Sequence, residues 1–217
     1  MNFEDIIKAI GIEPYYRDWQ SDIVIYNADC RDILPLIPDK SIDLVLTDPP
    51  YGIYDKWVGG SNYGWGNRTR NEWDRQPIGI DVITSIIDKA AATILWGGNY
   101  YPLPVSRCWL IWNKPERGFS LAEAELAWTN VDNVVRVFDC HRRDIGKEHP
   151  TQKPLNLMRW CLQLSWSSNY NVVLDPFMGS GTTLRACKDL GRKCIGIEKE
   201  EKYCEIAVKR LAQGVLL

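Results

Sequence analysis

Short apolar runs alternate with helix-like spacings of apolar residues along this chain. Spacings such as Phe3, Ile6, Ile7 and Ile10 predict amphipathic helices, here near residues 3–10, 31–36, 80–90, 157–164, 183–190 and 202–211. Continuous apolar runs bounded by turn residues predict seven buried strands, at 23–26, 42–47, 93–96, 108–112, 126–129, 172–174 and 194–197. The alternation predicts an α/β fold with a mostly parallel sheet and helices on both faces. The runs at 108–112 and 126–129 look more like a hairpin than a βαβ unit.

Composition narrows the class of protein without revealing its chemistry. The 217 residues fit a single domain, 1–217, and 45% hydrophobic with 25% charged residues is ordinary for a soluble protein. A net charge of −2 neither indicates nor excludes nucleic-acid binding. The chain has no signal-peptide pattern and no apolar run that would span a membrane, so we expect a cytoplasmic protein without a membrane partner.

Cysteine usage supports the same compartment. Seven cysteines are scattered without a CxxC pair, which is typical of free thiols in a reducing cytoplasm. Cys140, His141 and His149 lie near one another in sequence, but no fourth ligand follows at a usual spacing. We therefore predict no metal site.

The segment Asp48-Pro49-Pro50-Tyr51 follows the predicted strand 42–47 and is the first candidate site. Proline fixes its own φ angle and keeps the preceding residue extended, so this loop is stiff. It presents a carboxylate, a carbonyl and an aromatic ring at the carboxyl end of a strand, where open α/β sheets bind ligands. These groups suit a planar amine that donates hydrogen bonds while lying against the tyrosine ring.

A second candidate site runs from Asp175 through Gly179 and Gly181 to Thr183, between a predicted strand and a helix. Glycines allow a tight turn and a close approach to a ligand. The next strand ends in Glu198, an acid placed where a ribose is commonly bound. The loop lacks the lysine of a Walker loop and the GxGxxG pattern, so we predict a nucleoside-type cofactor without a pyrophosphate.

Together, the two motifs resemble the amino-methylating DNA methyltransferases that use S-adenosylmethionine. The clamp precedes the glycine loop, an order similar to that of the permuted beta group of this family, and 149–154 (His-Pro-Thr-Gln-Lys-Pro) also matches that group. The resemblance covers residues 23–211 and implies a Rossmann-like, seven-stranded sheet with one antiparallel strand.

The resemblance also implies roles for individual residues. Asp48 and Pro49 would accept the two N–H groups of the base amine, and Tyr51 would stack against the extruded base. Asp29 and the backbone of Cys30 would hold the cofactor's adenine. Glu198 would hold the ribose of the cofactor, and Lys153 and Thr182 would lie at its methionine end. The full set of residues expected around the rest of the cofactor is Lys153, Asp175, Phe177, Gly179, Gly181, Thr182 and Glu198. Without the resemblance, Asp29 would read as a helix N-cap.

An aspartate at position 48 favours adenine N6 as the target, since relatives that methylate cytosine N4 more often have serine there. RNA and protein amides remain alternatives, and so does a catalytically inert module that binds the cofactor or nucleic acid. A nucleotide-dependent oxidoreductase is a further alternative, but it would need the missing pyrophosphate loop.

Glycine, aromatic and basic residues are interspersed in 52–75, which predicts a mobile loop that contacts DNA through Arg68 and Arg70. The interval near 130–150 corresponds to the target-recognition region and contains Arg142 and Arg143. This interval is very short and leaves little protein to read a long DNA site. Recognition of a short DNA site, a homodimer or help from a partner protein would each be consistent with this.

Overall fold

A nine-stranded sheet forms the centre of the computed structural model, which describes residues 1–52, 76–117, 122–141 and 152–214. The strands lie in the order β1-β2-β9-β8-β3-β4-β6-β5-β7. They are β1 (Tyr16–Asp18), β2 (Ile23–Asn27), β3 (Ile42–Thr47), β4 (Ala90–Trp96), β5 (Trp109–Asn113), β6 (Ala124–Thr129), β7 (Arg136–Asp139), β8 (Val172–Asp175) and β9 (Lys193–Glu198). The helices are α1 (Phe3–Ile10), α2 (Cys30–Ile33), α3 (Ile80–Lys89), α4 (Leu155–Gln163), α5 (Thr182–Asp189) and α6 (Glu201–Ala212).

Helices cover both faces of the sheet, as predicted, because neighbouring residues of the central strands point to opposite faces. On β3, Leu44 and Leu46 pack in one core cluster with α4, α5 and α6, whereas Val45 packs in the other with α1, α2 and α3. Strands that are buried on both faces are typical of parallel sheets, and β2, β9, β8, β3 and β4 are parallel to one another. Fully burying one such side chain contributes about 1.5–3 kcal/mol.

The predictions of seven strands and of a single antiparallel strand were wrong. Within the described residues the sheet has nine strands, and two of them, β1 and β6, run antiparallel to the central set. The two unpredicted strands are the edges of the sheet, and they have only 3 and 4 residues. Both edge strands are mostly polar or exposed, so they give no apolar run. The hairpin prediction was correct, since β5 and β6 pair antiparallel.

The topology brings the carboxyl ends of the parallel strands to one edge of the sheet. Asp29, Asp48, Asp175 and Glu198 lie at or just after the ends of β2, β3, β8 and β9. All seven cysteines are buried free thiols, as expected from their spacing. Within the described ranges, no helix is long and apolar enough to cross a membrane.

Candidate active site

A cavity of about 390 Å³ opens at the carboxyl ends of β2, β3, β8 and β9. Both sequence motifs reach it. The predicted site residues that line it are Asp29, Cys30, Asp48, Lys153, Asp175, Phe177, Gly179, Thr182 and Glu198. Three predicted residues, Pro49, Tyr51 and Gly181, are not among its lining residues. The structure thus brings together most of two motifs that are more than a hundred residues apart in sequence.

The clamp is held by hydrogen bonds to its backbone. The Pro50 carbonyl accepts the Ile78 N–H at 3.4 Å and the hydroxyl of Tyr101. Pro49 is buried, and its carbonyl accepts no hydrogen bond from the described part of the chain. The Pro50 carbonyl is therefore occupied by two donors, whereas the Pro49 carbonyl is not.

Tyr51 lies beside the cavity and contacts the neighbouring strand end. Its ring stacks on Tyr100 with the ring centroids 4.9 Å apart, and its hydroxyl donates to Asp48 Oδ1. Gly97, directly after β4, has a left-handed φ of 69° and lies against the same ring. One surface of Tyr51 is thus already used for packing.

Lys153 lies at the centre of a charged cluster that the sequence did not reveal. Its Nζ is 2.5 Å from Asp48 Oδ2, 3.0 Å from Glu125 Oε2 and 3.2 Å from the Tyr51 hydroxyl. Lys114 contacts the other oxygen of Glu125. Two ammonium groups and two carboxylates therefore alternate along this cluster, which we call the Lys114–Asp48 cluster.

Burial and charge act in opposite directions within the cluster. Burial opposes the charge on Lys153, but the carboxylates of Asp48 and Glu125 outweigh it and raise its pKa. Burial also opposes ionisation of Glu125, yet Lys153 and Lys114 lower its pKa to about 2. Burial raises the pKa of Asp48 against the lowering effect of Lys153. Lys153 and Glu125 are therefore an ion pair at neutral pH.

In the glycine loop, Gly179 and Gly181 have different reasons to be glycine. A Cβ on Gly179 would meet no atom within 4 Å, so this residue borders open space in the cavity. A Cβ on Gly181 would lie 2.7 Å from the Cβ of Ala207 in α6. Gly181 also has a left-handed φ of 78°, so both its backbone conformation and its closeness to α6 favour glycine.

The two acids predicted to bind the cofactor already accept hydrogen bonds. Glu198 accepts the Gly179 N–H at 3.1 Å on one oxygen and the Glu200 N–H at 2.8 Å on the other. Asp29 caps α2 through the Arg31 N–H at 2.9 Å and also binds the Arg31 side chain. That side-chain contact, opposed by burial, is the main reason why the pKa of Asp29 falls to about 2. An ionised carboxylate accepts about four hydrogen bonds, so both acids keep capacity for a ligand.

Asp175 and Thr182 are anchored within the protein. The Thr47 hydroxyl donates to Asp175 at 2.7 Å, and burial raises the pKa of Asp175 to about 6. Arg210 donates to the Thr182 hydroxyl at 2.8 Å and also to Gln152 at 2.8 Å. These contacts hold the glycine loop against α6 and against the segment that contains Lys153.

Comparison with known proteins agrees with this geometry. A family model for N6 and N4 methyltransferases, described as DNA methylase, matches residues 103–209. The type II methyltransferase M2.MboI of Moraxella bovis is 25% identical, over 92% of this chain and 91% of its own. M.HinfI of Haemophilus influenzae is 29% identical, over 87% of this chain and 68% of its own. These matches support an amino-methyltransferase family.

Solved structures with a methyltransferase fold resemble the chain as well. The M1.HpyAVI–SAM complex superposes with a TM-score of 0.62 at 26% identity, over 87% of this chain and 99% of that one. The cytosine-N4-specific PvuII methyltransferase has a TM-score of 0.64 at 16% identity, over 95% of this chain and 92% of that one. This match shows that the two proteins share a fold.

Some of the predicted amino-methyltransferase residues lie outside the described residues. These are Arg68, Arg70, Arg142 and Arg143, together with nearly all of the predicted loop at 52–75 and residues 149–151. Cys140 and His141 are described, and the described part of the chain contains no group of three or more His, Cys, Asp or Glu residues that could hold a metal ion.

Sequence reasoning missed Glu125, Lys114, Tyr101 and Gly97 as site residues. A weak signal existed for Glu125 and Lys114, because charged residues are unusual in or beside an apolar hairpin. Gly97 and Tyr101 follow the buried strand β4, as Asp48 follows β3.

Proposed function

We propose that this protein transfers a methyl group from S-adenosylmethionine to the N6 amino group of adenine in DNA. One observation carries the proposal: Asp48 of the clamp and Gly179 and Glu198 of the glycine loop line the same cavity. A methyl donor bound by the loop would then lie next to an amine bound by the clamp. The family support described above agrees with this chemistry.

The residues present fit the cofactor. The cavity volume of about 390 Å³ lies in the usual range for small-molecule sites, about 300–1,000 Å³. Glu198 has acceptor capacity for the ribose hydroxyls, and Asp29 has it for the adenine amino group. Phe177 and Cys30 provide apolar surface in the same cavity, and Gly179 leaves space beside it. When bound, S-adenosylmethionine supplies an electrophilic methyl group on a positively charged sulfur.

The clamp makes the amine reactive. An exocyclic amine is a weak nucleophile because its lone pair is delocalised into the ring. Asp48 and the Pro49 carbonyl accept its two N–H bonds, which localises the lone pair on nitrogen. Held in this way, the nitrogen would take the methyl group that bound S-adenosylmethionine supplies, with the carbon–sulfur electron pair remaining on sulfur and one N–H proton released from the amine. Positive charge develops on nitrogen close to the Asp48 carboxylate, which stabilises it, and the held geometry supplies much of the rate.

The target base must leave the duplex, since its amine is not accessible to the clamp inside the stack. Tyr51 then stacks on the base, and such contacts contribute about 1–3 kcal/mol. Tyr51 occupies Asp48 Oδ1 and Lys153 occupies Oδ2. Each oxygen keeps a second lone pair, so the amine joins these donors or displaces one.

Adenine is proposed over cytosine because position 48 is aspartate. The order of the motifs, with Asp48 before Gly179, supports assignment to the permuted beta group. We assign contacts with the DNA backbone to Arg68, Arg70, Arg142 and Arg143, whose side chains suit phosphate oxygens.

The test is transfer of labelled methyl from S-adenosylmethionine to DNA of mixed sequence, followed by nucleoside analysis. We expect N6-methyladenine. Labelled N4-methylcytosine would identify the alternative base. Calorimetric binding of the cofactor with no labelled nucleoside from DNA of any sequence would indicate the inert module instead.

A further inference from the structure

We propose that Glu125 is a positioning residue, which draws the Lys153 ammonium away from Asp48 when the substrate amine enters. The inference rests on the proposed function, because it concerns the acceptor on which that reaction depends. Glu125 does not touch the amine in this account. It acts through Lys153.

The need for such a residue follows from the contacts of Asp48. Its Oδ2 is 2.5 Å from Lys153 Nζ, so the carboxylate and the ammonium are joined by a charge-assisted hydrogen bond. An ammonium in this position competes with a neutral amine for the same oxygen. It also repels the positive charge that develops on the amine nitrogen during methyl transfer. Lys153 therefore inhibits the reaction unless its charge has another partner.

Glu125 is placed to be that partner. Its Oε2 is 3.0 Å from Lys153 Nζ, so a small movement of the ammonium transfers it from one carboxylate to the other. Water is a poor substitute for this carboxylate, because the Lys153 side chain is only 6% exposed. Leaving a buried ammonium without a carboxylate is strongly unfavourable. The second carboxylate thus makes withdrawal from Asp48 possible.

Lys114 holds Glu125 in place for this role. It contacts Glu125 Oε1, while Lys153 contacts Oε2, so the two oxygens have separate partners. Glu125 lies on β6 opposite Trp112 of β5, and Lys114 follows β5 directly. The β5–β6 pairing and Lys114 therefore hold the carboxylate, and in this proposal the Lys153 side chain is the part that moves.

The test compares kcat for methyl transfer among the wild type, Glu125→Gln, Lys153→Met and the double variant. With Glu125→Gln, Lys153 remains on Asp48, and we expect kcat to fall by about tenfold or more, with cofactor Kd and KM for DNA within about threefold. Adding Lys153→Met removes the competing ammonium, so at saturating S-adenosylmethionine, which offsets any loss of the cofactor contact assigned to Lys153, the double variant should regain at least about fivefold in kcat over Glu125→Gln. A purely structural role for Glu125 would not give this rescue. Asp132→Asn, which alters an exposed ion pair with Arg107, is the control and should match the wild type.

Two results would overturn the inference while leaving the proposed function intact: an unchanged kcat for Glu125→Gln, or a double variant no faster than Glu125→Gln. If Glu125→Gln loses cofactor affinity and thermal stability and the double variant does not restore kcat, Glu125 has a structural role, and this result also overturns the inference. A wild type that binds the cofactor but transfers no methyl to DNA would overturn both proposals.

Discussion

A Cβ added to Gly97 would lie 2.0 Å from Cε1 of Tyr51, so these two residues are in contact only because one of them is glycine. Gly97 follows β4 and Tyr51 follows β3, the adjacent parallel strand. The contact positions the tyrosine whose hydroxyl donates to Asp48. The end of β4 therefore helps to set the geometry of the clamp.

Gly97→Ala should reduce methyl transfer and stability together. The left-handed backbone costs alanine about 1 kcal/mol or more, and the clash with Tyr51 adds roughly 1–3 kcal/mol. Gly191→Ala is a matched control, because Gly191 has φ 64° and no atom within 4 Å of an added Cβ. Chemical denaturation should show a loss of stability in both variants. In contrast, kcat should fall in Gly97→Ala alone. Equal effects on kcat would contradict the proposed importance of the Gly97–Tyr51 contact.

Asp175 should make the wild type less stable as the pH rises. Its pKa in the folded protein is raised to about 6 by burial, above the unfolded value of about 3.9. The stability contribution is therefore complete below about pH 4 and is lost as pH rises through about 6. Asp175→Asn keeps an acceptor for Thr47 without the charge. The unfolding free energy of the wild type minus that of the variant should fall by about 2 kcal/mol between about pH 4.5 and 7.5. A pH-independent difference would contradict the raised pKa.

Asp29→Asn should weaken cofactor binding while leaving the fold intact. Asparagine is as good an N-cap as aspartate, so α2 should be preserved. Its amide is a poorer acceptor for the adenine amino group, and we expect the Kd for S-adenosylmethionine to rise about tenfold by calorimetry. If the Kd is unchanged while the Tm is also unchanged, Asp29 acts only as a helix cap.

Glu198→Gln should weaken cofactor binding in the same assay. The glutamine amide has one acceptor oxygen instead of two, so it cannot bind the Gly179 and Glu200 N–H groups and also receive both ribose hydroxyls. We expect a rise in Kd of about tenfold or more. The control is Glu205→Gln on the exposed side of α6, which should bind as the wild type does. Equal Kd values for the two variants would place the ribose elsewhere.

The sequence predicted those parts of the site whose signal is local. Asp48, Asp175, Gly179 and Glu198 either end a buried strand or follow one within a few residues, so the apolar run that predicts the strand also locates the site residue. The partners of Asp48 could not be predicted in this way. Lys153 is 105 residues away from it, and the pairing depends on how β3, the β5–β6 hairpin and the segment before α4 pack. The edge strands were missed because short polar strands have no apolar periodicity.

Local motifs did not separate the surroundings of the two glycines. Gly179 and Gly181 were both predicted to let the backbone turn tightly and approach a ligand, but an added Cβ would meet open space at Gly179 and the Cβ of Ala207 at Gly181. Spacing within a loop does not distinguish a glycine that borders a cavity from one that borders a helix, because that difference is set by α6, which lies further along the chain.

The central claim is that Asp48 activates an amine for methyl transfer to DNA, and single-turnover transfer of labelled methyl tests it most directly. Wild type, Asp48→Ala and the exposed control Asp88→Asn would be compared at saturating S-adenosylmethionine with nucleoside analysis of the product. We predict N6-methyladenine from the wild type and the control, and a rate at least about a hundredfold lower for Asp48→Ala with cofactor binding retained. Methyl transfer by Asp48→Ala at a rate comparable to the wild type would contradict the mechanism.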